Sequence, residues 1–311
     1  MKGLRSPAIQ TILAARVSIG RMPLEERVLL TLDSGERLVA YLSRTHAFPK
    51  SVAITVHGLT GCSLSYYNRR LAKNLARSDC ALMRLNLRGA GPGAQYAVRP
   101  YHAGLTEDLS VCVDYASKRF PGVPINLVGY SLGANVVLKF LSKRNAMSQK
   151  VTQFFVVSPP FDLRAAAVKL QNHARFWDQY FLKRMLQQVD SLKKRLGSNV
   201  WGADLPNYPS SRTLYEFDSL FTAPVHGFKS AEDYYERASC GPRLAGIEHK
   251  GVILAALDDP VLDYSQIPKV APNTDLRLTD YGGHCGFVAE SLRYSPFWAE
   301  DQICRFLTGK N

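Results

Sequence analysis

No apolar run of 18 residues occurs anywhere in the chain, so the sequence offers no helix for crossing a bilayer. Ile9-Gln10-Thr11-Ile12-Leu13-Ala14-Ala15-Arg16 near the start is too short and too interrupted for a secretory core. The six cysteines (Cys62, Cys80, Cys112, Cys240, Cys285 and Cys304) form no CxxC pair, which excludes a zinc spacing and a thioredoxin-like redox motif. Several lie inside apolar runs such as Val111-Cys112-Val113. They read as reduced, mostly buried residues of a cytoplasmic protein, with one disulfide left open.

A GxGxxG fingerprint is missing as well. Gly89-Ala90-Gly91-Pro92-Gly93 is glycine-rich, but its proline and the lack of a helix start argue against a phosphate cradle. Arginine-glycine repeats and basic helices with base-reading residues are also absent. The net charge of +13, from 39 Lys and Arg against 26 Asp and Glu, is therefore read as a solvated basic face and not as a nucleic-acid footprint. What is present is ordinary globular composition, 311 residues with 46% apolar and 21% charged, which rules out disorder. A chain of this length buries about 75% of its unfolded surface and needs no staples.

The pattern along the chain is α/β. Residues 25–43 read as a hairpin turning at Asp33-Ser34-Gly35-Glu36. Short apolar runs follow at Val52–Val56, Ala81–Leu85, Ile125–Val128, Phe154–Val157 and Val252–Ala256, separated by helical patterns at about 65–78, 105–119 and 132–143. Strands buried on both faces and alternating with helices predict a mainly parallel sheet. Almost a hundred residues without a comparable strand interrupt it after Ser158-Pro159-Pro160. The expected division is a core of residues 1–157 and 250–311 with a helical cap insertion at 158–249.

The insertion is basic and aromatic. From Arg164 to Arg195 eight Lys and Arg face Asp178 and Asp190, a net +6. Its Arg175-Phe176-Trp177-Asp178-Gln179-Tyr180-Phe181-Leu182 has two readings. The preferred one is an aromatic core stripe with a wet basic back, and the other is contact with an acyl chain or an anionic membrane. Lys183, Arg184, Lys193, Lys194 and Arg195 are expected to stay in water.

The sharpest chemical signal is Gly129-Tyr130-Ser131-Leu132-Gly133, between the strand-like Ile125–Val128 and the helical Ala134–Leu141. Strand, GxSxG and helix in that order predict a nucleophile elbow, a tight turn holding Ser131 at a strand's carboxyl end. A serine hydroxyl at neutral pH needs a base, an orienting carboxylate and a site for the developing oxyanion. Val252–Leu257 runs into Asp258-Asp259-Pro260, where the proline stiffens the turn that aims Asp259, and Asp258 is expected to point elsewhere. A last strand at Leu276–Tyr281 leads to Gly282-Gly283-His284-Cys285-Gly286-Phe287 and a final helix. A histidine flanked by glycines on a loop suits a general base, and the order Ser131, Asp259, His284 is that of an α/β-hydrolase triad. His46, His173, His226 and His249 have no such context and read as surface or satisfied residues.

The oxyanion donors are expected to be the backbone N–H groups of Leu59, in His57-Gly58-Leu59-Thr60-Gly61, and of Leu132, next to the nucleophile. His57 is read as a structural brace of that loop.

With these residues in place the chain resembles the YheT-like branch of the α/β hydrolases, the AB hydrolase 4 family. Ile9-Gln10-Thr11-Ile12 is similar to that family's LQTI start, although Ala8-Ile9 stand where His-Leu is usual. His57–Gly61 matches its HGLTG, and Asn86-Leu87-Arg88-Gly89 its N-x-RG loop. Tyr101–Gly104 with Glu107–Leu109, Gly129–Asn135, Ser158–Leu163, Tyr234-Tyr235 with Ser239, Asp258–Pro260 and Gly282–Phe287 continue the likeness along nearly the whole chain. The resemblance implies a triad of Ser131, Asp259 and His284 in a carboxylesterase or lipase-like hydrolase of small-molecule or lipid esters, acting without cofactor or metal. Acyl transfer from the same acyl-enzyme is the alternative activity, and a non-catalytic binding module the alternative without chemistry. Neither acyl length nor oligomeric state is written in these motifs.

Overall fold

The computed structural model describes residues 6–16, 22–197, 200–201, 205, 208–288 and 297–309. The expectations placed on residues 1–5 and on the remainder of the 158–249 stretch lie outside them.

Helix α1 (Pro7–Arg16) comes first, an element the sequence reading did not call. Strands β1 (Glu25–Thr31) and β2 (Arg37–Ser43) then form the expected hairpin, with Gly35 at φ +81° in the turn. β3 (Ser51–Val56), α2 (Tyr66–Leu75), β4 (Cys80–Asn86), α3 (Glu107–Arg119), β5 (Ile125–Tyr130), α4 (Leu132–Ser142) and β6 (Val151–Val157) follow in alternation. Helices α5 (Leu163–His173), α6 (Arg175–Leu196), α7 (Leu214–Phe217), α8 (Ala223–Val225) and α9 (Ala231–Ala238) fill the interval before β7 (Lys250–Ala256). No strand occurs there among the described residues. β8 (Thr274–Thr279) and α10 (Trp298–Thr308) end the order.

The eight strands lie in the order β1-β2-β4-β3-β5-β6-β7-β8. From β4 to β8 every pairing is parallel, while β2 meets β4 antiparallel, a junction that no local pattern signalled. β4 and β5 are buried at every residue, and β3 at all but its first. Such strands read as unbroken apolar runs because helices cover both faces. The edge strands β1 and β8 instead alternate or stay half exposed. β8 ends at Thr279, two residues before the expected boundary, because Asp280 and Tyr281 have already left the sheet toward the histidine loop. No helix among the described residues is long and apolar enough to cross a membrane.

Gly91 opens a six-residue 3₁₀ helix, which corrects the expectation that no helix starts in that glycine-rich run. Its neighbour Arg88 is buried between two carboxylates, Nη2 to Asp108 Oδ1 at 2.8 Å and Nη1 to Glu36 Oε2 at 3.1 Å. The run thus follows directly on a buried ionic brace that ties Arg88 to α3 and to the first hairpin.

All six cysteines are free. Motifs without evident chemistry turn out to join the sheet to the inserted helices. Asn135 Nδ2 donates to Ala103 O and Ala238 O, both at 2.9 Å, while its Oδ1 accepts from Cys240 N. Ala103 N donates to Tyr234 Oη, and Ser239 Oγ accepts from Leu163 N. These groups are buried, so each partner lost would leave an unsatisfied polar atom, at a cost of about 1–3 kcal/mol.

Candidate active site

The parallel strands all deliver their carboxyl ends to one edge of the sheet, the place where α/β sheets hold ligands. β5 ends in Ser131, whose φ of 53° and ψ of −122° put it in the left-handed region that a side chain rarely adopts. The turn is tight because α4 begins at once, and Gly133 is required there. A Cβ on Gly133 would stand 2.3 Å from Val56 O and 2.5 Å from His57 O.

β7 delivers Asp259, 2% exposed. Its Oδ1 accepts from Val261 N at 2.8 Å and Leu262 N at 2.9 Å, and its Oδ2 faces His284 Nδ1 at 2.8 Å. Both oxygens of the carboxylate are thus engaged. On the other side of the ring His284 Nε2 lies 2.9 Å from Ser131 Oγ. The structure brings Ser131, His284 and Asp259 into one hydrogen-bonded row, and their bonding geometry fixes the tautomer: a carboxylate accepts, so Nδ1 carries the proton and Nε2 is left to take one from the hydroxyl.

Asp258 is aimed away from the imidazole, as expected, but at the backbone of the same loop. Its Oδ1 accepts from Gly283 N at 2.9 Å, so both aspartates serve the histidine loop, one through the ring and one through the backbone. Burial raises the Asp258 carboxyl above its ordinary range.

The loop after β3 is arranged by its neighbours' hydrogen bonds. Gly58 N donates to Tyr67 Oη at 2.9 Å, Thr60 N to Tyr101 Oη at 2.7 Å, and Gly61 N to Gly58 O at 3.0 Å. Leu59 N between them has no acceptor among the described residues. Leu132 N is in the same condition at the start of α4, where the first N–H groups have no partner within the helix. His57 is wholly buried, its Nδ1 donating to Gly58 O at 2.8 Å and its Nε2 accepting from Leu87 N at 3.1 Å. Burial holds its pKa down to about 4.

Helix α1 is the contributor that sequence reasoning missed. Thr11 Oγ1 accepts from His284 N at 2.9 Å and donates to Pro7 O at 2.8 Å. Gly283, at φ +58°, is glycine because a Cβ there would meet Pro7 O at 2.6 Å and Thr11 Oγ1 at 2.7 Å. In the sequence the Gln10-Thr11 pair stands only as part of the family likeness and gives no sign of this contact. From the opposite side Ser158 Oγ accepts from Cys285 N, and Lys169 of α5 donates to Asp259 O.

Two cavities meet at Ser131, Leu59 and Phe181. The outer one, about 490 Å³, opens between α1 and α6 and is lined by His284, Ile12, Trp177 and Tyr180 among others. The inner one, about 90 Å³, lies under α5, α6 and α9. The aromatic stripe of α6 therefore differs from the preferred reading: Trp177 and Phe181 pack partly against the core, whereas Phe176 is 66% exposed and Tyr180 42%, both facing the outer cavity. Of the five bases, Arg184 also lines that cavity and Arg195 donates to Ala94 O and Ala97 O, so these two are not simply solvated. His226 is no surface residue either. Its ring lies 4.5 Å from that of His102, and its Nε2 has no partner among the described residues.

A parallel sheet with a strained serine after its central strand, an acid after a later strand and a histidine on the last loop defines an α/β hydrolase. Residues 54–290 match the family described as alpha/beta hydrolase fold, and the chain belongs to that family. It is 30% identical to the putative esterase YheT of Escherichia coli over 99% of this chain and 92% of that protein. It is 32% identical to a monoacylglycerol lipase of Saccharomyces cerevisiae over 83% of this chain and 59% of the yeast protein. Among solved structures an esterase of Pyrococcus furiosus has the same fold, with a TM-score of 0.58 at 16% identity, covering 91% of this chain and 90% of the other.

Proposed function

We propose that the protein is a serine hydrolase of carboxylic esters. The observation that carries this reading is the continuous row from Asp259 Oδ2 through His284 to Ser131 Oγ, with both contacts at hydrogen-bond length. In the proposed reaction Ser131 Oγ bonds to the ester carbonyl carbon as His284 Nε2 takes its proton. Asp259 stabilises the imidazolium, and the N–H groups of Leu59 and Leu132 receive the oxyanion, each donor contributing about 3 kcal/mol. The C–O bond to the alcohol then breaks, and His284 returns the proton to the leaving oxygen. Water enters by the same route in reverse, releasing the acid and restoring Ser131.

Esters as substrates are supported by the esterase and lipase names of the relatives, and by an outer cavity whose walls are mainly apolar. In this reading residues 158–249 act as a cap that shapes access and takes no part in bond breaking. Ile12 of α1, itself exposed, lines the same cavity as the exposed Phe176 and Tyr180 of α6, and Ile9 and Leu13 of α1 are exposed as well. With the basic excess of α6 behind them, these side chains suit an anionic lipid surface that would present a lipid ester to the mouth.

The test is labelling by a fluorophosphonate. The parent protein should be modified at Ser131 and turn over an activated aryl ester. Ser131→Ala should fold normally, remain unlabelled and be inactive. Turnover by Ser131→Ala near the parent rate would refute the assignment.

A further inference from the structure

The two cavities at Ser131 are unequal in a way that assigns the two halves of an ester. The leaving oxygen must receive its proton from His284, so the alcohol departs on the histidine side of the attacked carbon. Among the described residues His284 lines the outer cavity and not the inner one. Leu132, whose free N–H faces the oxyanion in the proposed reaction, lines the inner cavity and not the outer. Resting on the ester-hydrolase reading above, we infer that the acyl group occupies the inner cavity and the alcohol the outer one, so that the substrate class is short-chain acyl esters of bulky apolar alcohols.

Volume sets the acyl length. An apolar cavity of about 150 Å³ takes benzene, close to 25 Å³ for each carbon. At that scale the inner cavity's roughly 90 Å³ holds about three or four carbons beyond the carbonyl. Its sides are Leu170, Met185 and Leu214, all buried. Its lining also includes a polar pair, in which Asp218 Oδ2 accepts from Tyr235 Oη at 2.8 Å. A longer chain would have to drive methylenes into that hydrogen bond, and a buried polar pair that loses its partner is costly. The chain therefore stops at about four carbons. The outer cavity is about 490 Å³, open at its mouth and aromatic on one side, and sets no comparable limit on the alcohol.

The experiment is an acyl-length series of aryl esters from acetyl to dodecanoyl on the parent protein, with a butanoyl series in which the alcohol grows from ethyl to octyl. The expected kcat/KM is greatest at butanoyl or pentanoyl, falls roughly tenfold or more by octanoyl, and rises with alcohol size. Ala167 lines the inner cavity from α5, and Ala167→Leu should lower the butanoyl to acetyl ratio of kcat/KM by roughly tenfold. A parent optimum at octanoyl or beyond, a butanoyl series that declines with alcohol size, or an unchanged ratio in Ala167→Leu would overturn the assignment. Such results in a protein that still labels at Ser131 would leave the hydrolase reading standing. Absence of both labelling and turnover would overturn the two together.

Discussion

Lys169 of α5 donates its Nζ to the backbone oxygen of Asp259 at 2.9 Å, and the same ammonium reaches Leu262 O at 2.6 Å. Asp259 Oδ1 is meanwhile held by the N–H groups of Val261 and Leu262. The carboxylate that faces His284 is therefore fixed from both ends of its own turn, and one of the two clamps comes from the inserted helices. Lys169→Met removes the clamp and leaves the carboxylate. Because the residue touches no reacting atom, kcat should fall roughly tenfold with KM nearly unchanged, a loss near 1.4 kcal/mol. A rise in KM at constant kcat would place Lys169 in substrate binding instead.

The two aspartates should separate cleanly. Asp259→Asn puts an amide where a carboxylate fixes the histidine tautomer, and a comparable triad loses about 10⁴ in kcat from that change. Asp258→Asn keeps an oxygen that can still accept from Gly283 N, so its loss should be about tenfold or less. Steady-state kinetics on one aryl ester measures both. Equal losses would mean that the two carboxylates share the work.

Thr11 offers a third test. Thr11→Val preserves shape and removes the oxygen that accepts from His284 N, leaving a buried N–H unpaired at about 1–3 kcal/mol. Activity should fall, and thermal stability with it. Thr11→Ser, which restores the oxygen, should recover most of both. Failure of the serine variant to recover activity would show that the methyl group and not the hydroxyl matters.

These three positions mark how far the sequence could be read. Ser131, Asp259 and His284 were legible because each sits in a local signature: a glycine elbow between strand and helix, an acid before a proline at a strand's end, a histidine among glycines. The parallel strands were legible for a similar reason, since burial on both faces writes an unbroken apolar run. Thr11 was not, because its partner lies 273 residues away and nothing in Gln10-Thr11 announces a contact of that range. The backbone bond of Asp258 to Gly283 and the antiparallel meeting of β2 with β4 are likewise non-local. The exposure of Phe176 was hidden for another reason. An amphipathic helix shows where its apolar face is, and a core and a cavity wall ask for the same face.

Acid should destabilise the fold through one buried and two half-buried histidines. Burial holds His57 down to about 4, His102 to about 3 and His226 to about 2, against an ordinary 6.5. In each case the unfolded chain binds a proton that the folded protein refuses. The stability these rings contribute is full above pH 6.5 and is lost as pH falls through the folded values. For His57, between 6.5 and about 4, that is about 3 kcal/mol. The ring also cannot accept a second proton without losing a bond, because Nε2 accepts from Leu87 N. Urea midpoints taken from pH 7 to pH 4 should fall steeply in the parent, and less steeply in His57→Gln, which starts from a lower value at pH 7. Parallel slopes would show that His57 is not a source of the acid sensitivity.

The last prediction concerns the anionic surface proposed for the cap. Lys183 and Lys194 stand exposed on α6, with Lys193 half exposed beside them, and none of the three lines either cavity. Lys194 pairs with Asp190 at 2.9 Å, but an exposed pair one helical turn apart contributes only a few tenths of a kcal/mol, so its loss leaves the helix intact. Near a surface of negative lipid each base adds about 1 kcal/mol of attraction. Replacing all three by glutamine should therefore weaken binding to vesicles of phosphatidylcholine and phosphatidylserine by roughly a hundredfold at low salt. It should leave turnover of a small soluble ester unchanged, because no reacting atom lies within their reach. Added salt should erase most of the difference, since exposed charges are screened over about 8 Å at physiological strength. Arg184 and Arg195 are left in place because one lines the outer cavity and the other ties α6 to the loop at Ala94 and Ala97. A parent protein that ignores these vesicles at low salt would remove the lipid surface from the proposed function, and a collapse of small-ester turnover in the triple variant would make α6 part of the reacting site.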